Sequence, residues 1–171
     1  MGQVAVQADE GEATGTIAPV ALVELMFFAY RDFIGEPDRI LARYGFGRAH
    51  HRVLHFVNRN PGLTVAELLT ILGITKQSLA RVLRELVSGG FIEQRAGDTD
   101  RRQRLMFLTD SGRALAQELL GMQTARVERA LGAAGAAERQ AVTAFLLGLL
   151  DRGQGAPVLR LTGLARERGE T

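Results

Sequence analysis

The sequence has no cysteine and no long hydrophobic run. Without cysteine, a disulfide framework, a thiolate metal site and a cysteine redox switch are excluded. The longest apolar stretch, residues 18–29, spans 12 residues and contains Glu24. A membrane-spanning helix needs roughly 20 apolar residues, so none is expected. The first residues also lack the pattern of a secretory signal, and we therefore expect a cytoplasmic protein.

An excess of charge is missing as well, since the formal net charge of the 171 residues is only +2. That value is too small to indicate a nucleic-acid partner, so the local placement of the charges has to decide. Hydrophobic residues make up 46% and charged residues 23% of the chain, which is typical of folded globular proteins. The length suffices for one compact domain, or for a small domain that carries dimerisation helices.

The spacing of apolar residues predicts a long helix that starts near Pro19 and ends or breaks at Gly35 and Pro37. A short helical piece is predicted over Asp38–Tyr44, closed by Gly45. Residues 1–16 and 152–171 are expected to form tails. The apolar stripe of the long helix consists of Leu22, Leu25, Met26, Ala29 and Phe33.

The middle of the chain predicts a helix-turn-helix. Thr64 and Glu67 have the spacing of a capping box, which opens a helix that ends at Gly73. Thr75 then caps a second helix, 75–88, that ends at Gly89-Gly90. Two short helices joined by a tight glycine-containing turn are typical of this motif.

Two strands are predicted next, over Phe91–Arg95 and Arg104–Thr109. They flank a polar loop, and together with it they form a hairpin, or wing, with its tip at 96–103. Helical spacing returns at Leu115 and continues, after a break at 132–135, to Leu150.

A helical wheel assigns opposite roles to the two faces of helix 75–88. One sector holds only apolar side chains and is expected to pack on the domain: Leu79, Val82, Leu83 and Leu86. The opposite sector carries amide, hydroxyl and guanidinium groups: Gln77, Arg81, Arg84 and Ser88, with Ser78 and Glu85 at its margins. Arginine pairs with guanine, glutamine with adenine, and serine with either base, so the exposed face suits double-stranded DNA.

Basic residues are concentrated in the same region. Residues 76–104 contain seven basic and four acidic side chains, a balance of +3 that exceeds the +2 of the whole chain. Four of the basic residues lie on or beside the hairpin, which could reach a flanking minor groove or the phosphate backbone: Arg95, Arg101, Arg102 and Arg104.

This region of the sequence resembles the MarR-type bacterial transcription regulators. The resemblance is strongest over residues 62–112, where Asp100-Arg101-Arg102, Leu108-Thr109 and Gly112 match the wing pattern D-x-R…L-T-x-x-G. Element order extends the similarity over about residues 20–150. Thr99 stands where that pattern usually has proline, so the loop is expected to be less rigid.

The resemblance implies a winged helix-turn-helix of mainly α class with a small β-hairpin wing (α+β), plus a dimerisation region formed by the N- and C-terminal helices. It implies a homodimer on a pseudo-palindromic operator, with one recognition helix in each of two major grooves. Asp100 is implied to orient Arg102 at the wing tip. The expected DNA contacts are Thr75, Lys76, Gln77, Ser78, Arg81, Arg84, Arg101, Arg102 and Arg104. The expected segments are 1–16 (flexible tail), 17–47 (N-terminal dimerisation helix region), 48–112 (winged helix-turn-helix), 113–151 (C-terminal dimerisation helices) and 152–171 (tail).

The same resemblance implies that a small aromatic or anionic effector can bind between the dimerisation helices and the DNA-binding lobe. Side chains of suitable chemistry lie in suitable segments: Tyr30, Phe33, Tyr44, Arg48, His51 and Arg52. Aromatic residues at helical spacing also suit a protein core, and both interpretations stay open.

The residues bear on three further functions. His51 and His55, four residues apart on a predicted helix, could chelate zinc, which would make a metal-responsive regulator, but the sequence shows no third ligand and no cofactor is expected. A winged helix can also serve as a protein-interaction module, although the exposed face of helix 75–88 is polar rather than apolar. An enzyme is not expected, because Ser78 and Ser111 have no histidine nearby in sequence and no phosphate-binding loop occurs.

Overall fold

The computed structural model describes residues 17–97 and 102–164. The chain divides into two compact units, the first up to Gln123 and the second from Thr124 onward. The elements in chain order are α1 (Pro19–Ala42), α2 (Arg48–Arg59), β1 (Leu63–Thr64), α3 (Val65–Leu72), α4 (Lys76–Ser88), β2 (Ile92–Ala96), β3 (Arg104–Leu108), α5 (Asp110–Leu131), α6 (Ala136–Gly148) and α7 (Gly155–Thr162).

Helix α1 is continuous, so the predicted break at Gly35 and Pro37 and the separate piece Asp38–Tyr44 are wrong. Proline inside a helix lacks one N–H donor and costs about 3 kcal/mol. Here Pro37 is itself buried, on the same face as the other buried residues of α1: Ile34, Ile40 and Leu41. Burying each such side chain contributes roughly 1.5–3 kcal/mol, which outweighs the cost of the proline.

The predicted helix-turn-helix is confirmed, including its caps. The Thr64 hydroxyl accepts the N–H of Glu67 at 3.2 Å, and the Glu67 carboxylate accepts the N–H of Thr64 at 2.8 Å. Helix α3 ends at Gly73, whose φ of +61° is the left-handed conformation that glycine adopts most readily. Thr75 then caps α4 by accepting the N–H of Ser78 at 3.2 Å.

The two predicted strands form a hairpin, and a third strand completes the sheet in the order β1-β3-β2, all antiparallel. Strand β1 was not predicted, because it has two residues and shows no alternation of its own. It exists through pairing: Leu63 lies opposite Met106. The register of the hairpin places Ile92 opposite Leu108 and Ala96 opposite Arg104.

A single apolar core holds the first unit together. It draws side chains from α1 to α5 and from all three strands, and it includes the apolar face predicted for α4. Fully buried members include Leu41, Val53, Leu54, Leu68, Leu79, Leu86, Met106 and Leu119.

The L-T-x-x-G segment ties the sheet to the helices. The hydroxyl of Thr109 donates to the carbonyl of Gly90 at 2.6 Å and accepts the N–H of Gly112 at 3.1 Å, while the N–H of Thr109 donates to the carbonyl of Phe91 at 3.1 Å. A β-carbon on Gly112 would lie 2.0 Å from the carbonyl oxygen of Phe91. Only glycine therefore allows α5 to start so close to the turn that follows α4.

In the second unit, α6 is followed by α7, so the prediction of a tail over 152–171 is wrong for residues 155–162. Pro157 lies in the first turn of α7, where its missing N–H costs nothing. The apolar side chains that follow it, Val158, Leu159 and Leu161, are partly buried. The predicted tail residues 1–16 lie outside the described part of the chain. Among the described residues, no helix combines the length and the hydropathy that a bilayer crossing requires.

Replacing Gly112 by alanine should lower the free energy of unfolding by at least about 2 kcal/mol, because the new methyl group meets a backbone carbonyl that cannot move aside. Gly121, in the same helix, has open space around its α-carbon and provides the matched control. Gly121→Ala should stabilise the protein by roughly 0.5–1 kcal/mol. Urea unfolding of both variants measures the two effects, and equal shifts of the same sign would contradict this account.

Candidate nucleic-acid interface

The two faces of α4 are as the helical wheel predicts. Leu79, Val82, Leu83 and Leu86 are at most 4% exposed. The remaining surface of the helix points away from the core, because all four of these side chains lie in one sector. The exposed side is therefore available to a partner.

All six residues of this segment predicted to contact DNA are exposed. The hydroxyl of Thr75 donates to the hydroxyl of Ser78 at 2.9 Å in addition to capping the helix, so these two hydroxyls form one polar group at its start. The Arg81 side chain is 69% exposed. The six residues line the N-terminal half and one side of the helix: Thr75, Lys76, Gln77, Ser78, Arg81 and Arg84.

The wing contributes a second basic element. Arg102 and Arg104 are exposed, and the N–H of Gly97 donates to the carbonyl of Gln103 at 3.1 Å, which draws the two ends of the loop together. Arg95 is held against the sheet, with its guanidinium 4.4 Å from the centre of the Phe107 ring and an ion pair to Glu93. The predicted contact Arg101 and the predicted orienting residue Asp100 lie outside the described residues.

A polar contact that sequence reasoning missed joins α4 to α2. His50 is 5% exposed, and its Nε2 lies 2.6 Å from a carboxylate oxygen of Glu85 on α4. The spacing of His50 with Val53, Leu54 and Val57 places all four on one helical face, which is the buried one. That spacing was the available signal, and it shows the histidine as part of the core.

The residues predicted to bind an effector are not brought together as one group. The Arg48 guanidinium lies 5.7 Å from the ring centre of Tyr30 and pairs with Asp38 at 3.1 Å. Tyr44 instead packs edge-on against Phe91, with ring centres 5.4 Å apart.

Of the other members of that set, Arg52 donates to the carbonyl of Leu72 at 2.8 Å and so caps the C-terminal end of α3. Phe33 and His51 are partly buried. Arg52 thus has a structural partner of its own.

Burial lowers the pKa of His51 from its ordinary value, and the positive charge of a protonated His55 lowers it further. Burial also lowers the pKa of His55, with a contribution from the positive charge of Arg59. In the described residues, no group of three or more histidine, aspartate, glutamate or cysteine side chains is placed to hold a metal ion. The metal-responsive alternative therefore lacks a third ligand in this part of the chain.

The two lowered pKa values predict that acid destabilises the fold. The unfolded chain, where histidine has its ordinary pKa near 6.5, binds these protons more readily than the folded chain does. The free energy of unfolding should therefore have its full value above about pH 7. It should fall as the pH drops through about 6.5 towards the lower pKa values of the two histidines in the folded chain. A double variant, His51→Gln with His55→Gln, should lose less stability between pH 7.5 and pH 5.5 in urea unfolding. An unchanged difference between the two pH values would contradict the assignment.

Comparison with known proteins identifies the family. The family model described as MarR family matches residues 44–103, from the turn before α2 to the wing. The HTH-type transcriptional regulator PetP of Rhodobacter capsulatus is 52% identical over 123 residues, which cover 72% of this chain and 72% of PetP. The chain belongs to the MarR family.

Solved structures agree on the fold. The structure of Streptococcus pneumoniae FabT in complex with DNA matches with a TM-score of 0.66 and 18% identity, over 77% of this chain and 94% of FabT. The reduced form of MarR from E. coli matches with a TM-score of 0.55 and 23% identity, over 80% and 99% of the two chains. At these identities the likeness concerns the fold alone.

The comparisons confirm the predicted family and the winged helix-turn-helix fold of this MarR-family chain. At the level of the family they also confirm a DNA-binding transcription regulator rather than an enzyme.

Proposed function

We propose that this MarR-family protein binds a pseudo-palindromic DNA operator as a homodimer, with α4 of each copy in a major groove and each wing at the flanking minor groove. The observation that carries the proposal is the division of α4 into a buried apolar face and an exposed face of amide, hydroxyl and guanidinium groups. The polar character of the exposed face argues against the protein-interaction alternative, which would favour apolar residues there. Because the proposed partner is DNA, we also propose that the protein is cytoplasmic, as the sequence predicts.

In this proposal the residues of α4 divide between bases and phosphates. Gln77, Arg81 and Arg84 have the groups that form paired hydrogen bonds to adenine or guanine. The Lys76 side chain and the first-turn N–H groups of Lys76 and Gln77 suit a phosphate oxygen, whereas the N–H of Ser78 is already donated to the Thr75 cap. Arg102 and Arg104 add positive charge beside the groove.

Arg81→Ala should weaken binding to a selected operator by about 1–3 kcal/mol, with little effect on a scrambled duplex, because a base contact is lost. Arg102→Ala should weaken binding to both duplexes and reduce the slope of log K against log salt by about 1, because a phosphate contact is lost. Fluorescence-anisotropy titrations at several salt concentrations separate the two results. Arg160→Ala, at an exposed position of α7, is the control that removes a positive charge from the second unit.

If neither Arg81→Ala nor Arg102→Ala changes DNA binding, the assignment of α4 and the wing as the contact surface is wrong.

The dimer is supported by apolar side chains that the single chain leaves in water. Most of the stripe predicted along α1 is exposed, as are apolar residues in and just after α6. Exposed apolar patches of this kind, one in each unit, are typical of permanent protein interfaces. The exposed residues are Val20, Val23, Leu25, Met26, Phe27, Phe28 and Tyr30 in α1, and Val142, Phe145, Leu146, Leu149 and Leu150 in or after α6.

Phe27 and Leu146 are the best residues to test, because they are 71% and 57% exposed and therefore contribute little to the fold of one chain. Phe27→Asp or Leu146→Asp should weaken the dimer more than about tenfold, since each would bury an unpaired carboxylate in an apolar interface. Sedimentation velocity at micromolar concentration measures the effect. Gln140→Glu, which adds charge at an exposed polar position of α6, should leave the dimer intact. A wild-type chain that sediments as a monomer would refute the dimer.

For an effector we propose a site at Tyr30 and Arg48, because these two members of the predicted set bring an aromatic ring and a guanidinium together. Asp38, which lies outside that set, pairs with Arg48 and completes the cluster. A small aromatic carboxylate would stack on the ring and replace Asp38 as the partner of Arg48. Asp38→Asn should then strengthen the binding of benzoate, and Arg48→Gln should abolish it, in isothermal titration calorimetry. Equal heats from both variants would argue against this site.

A further inference from the structure

The buried polar contact between α2 and α4 is unusual in an otherwise apolar core. Among the described residues, His50 is the one polar or charged side chain that is buried. Burying a polar group in a core costs free energy unless its donors and acceptors are hydrogen-bonded. The partners of His50 therefore indicate its role.

Both ring nitrogens of His50 are used, and together they fix the tautomer. The N–H of Gly47 donates to Nδ1 at 3.1 Å, so Nδ1 must carry a lone pair. The hydrogen of the neutral ring then lies on Nε2 and is donated to Glu85 at 2.6 Å. The Phe46 ring stacks on the imidazole at 4.7 Å between centres. The ring cannot turn without losing both hydrogen bonds, so its position is rigid.

Glu85 connects the fixed ring of His50 to the exposed side of α4. One carboxylate oxygen, Oε2, is held by His50, and the other, Oε1, lies 4.0 Å from the guanidinium of Arg81 one helical turn earlier. Glu85 is partly exposed and Arg81 largely so. An exposed ion pair between two mobile side chains contributes little. Here one partner is already fixed, so less conformational entropy is lost when the arginine orients towards it.

We propose that Glu85, anchored by His50, is a positioning residue that orients Arg81 for base contact and thereby sets the sequence specificity of α4. This proposal rests on the proposed function, in which Arg81 contacts a base. A guanidinium has five N–H donors, so one edge can face Glu85 while the others remain for DNA. The fixed carboxylate also repels phosphates, which disfavours nonspecific positions of the helix on DNA.

Glu85→Gln tests the charge while an amide oxygen remains to accept from His50. Simple removal of a negative charge would raise affinity for every duplex equally. If Glu85 positions Arg81, the ratio of the affinity for the operator to the affinity for a scrambled duplex should instead fall about three- to tenfold in this variant. The operator is a duplex selected by the wild-type protein from a randomised pool. The thermal midpoint should change little.

Two substitutions at His50 separate positioning from structure, because an asparagine amide reaches about as far as Nδ1 and a glutamine amide about as far as Nε2. His50→Asn keeps the contact to Gly47 and releases Glu85, so the affinity ratio should fall as it does in Glu85→Gln. His50→Gln keeps the contact to Glu85 and loses the one to Gly47, so it should lose stability but retain the ratio. A merely structural histidine would give the same ratio in both variants.

Combination with Arg81→Ala completes the test. In that background Glu85→Gln should not change the ratio further, because Glu85 acts through Arg81. If Arg81→Ala lowers the ratio but Glu85→Gln and His50→Asn leave it at the wild-type value, the positioning role is refuted and the DNA-contact model stands. If Arg81→Ala has no effect on the ratio, the base contact of Arg81 is refuted, and the positioning role falls with it.

Discussion

The burial of four apolar side chains on one face of α4 is the constraint on which the proposed DNA-binding surface depends. At roughly 1.5–3 kcal/mol for each buried side chain, Leu79, Val82, Leu83 and Leu86 together hold the helix against the core far more strongly than any single polar contact could. A rotation of α4 by one residue, about 100°, would expose part of this stripe and bury a guanidinium. The direction in which Arg81 and Arg84 point is thus a consequence of core packing.

Hydrophobic burial is not directional, however, and fixes the rotation of a helix only approximately. Polar and steric contacts in the first unit supply the finer positioning. His50 joins α2 to Glu85 of α4, and Thr109 and Gly112 set the distance between the sheet, the end of α4 and the start of α5. These contacts involve hydrogen-bond geometry or a close backbone approach, which tolerate little displacement.

Local features of the sequence were enough to predict α3, α4, the hairpin and the two faces of α4, since caps, glycine stops and apolar spacing act within a few residues. Features that depend on distant partners could not be predicted in this way. The contact between His50 and Glu85 joins positions 35 residues apart, and β1 exists only because Leu63 pairs with Met106. Pro37 predicts a helix end because its local cost is visible in the sequence, whereas its compensation by burial is visible only in the structure.

The energetics of sequence recognition explain why the dimer matters to the proposed function. If the three side chains of α4 proposed to contact bases, Gln77, Arg81 and Arg84, each discriminate by about 1–2 kcal/mol, one copy gains roughly 3–6 kcal/mol for its preferred sequence. Specific regulators exceed their own nonspecific binding by about 4–10 kcal/mol, so one copy reaches only the lower part of that range. A second copy on the same duplex doubles the free energy and squares the ratio. In the proposed dimer, the apolar residues exposed on α1 and α6 would therefore be as important to specificity as the polar face of α4, because they would hold two such faces on one operator.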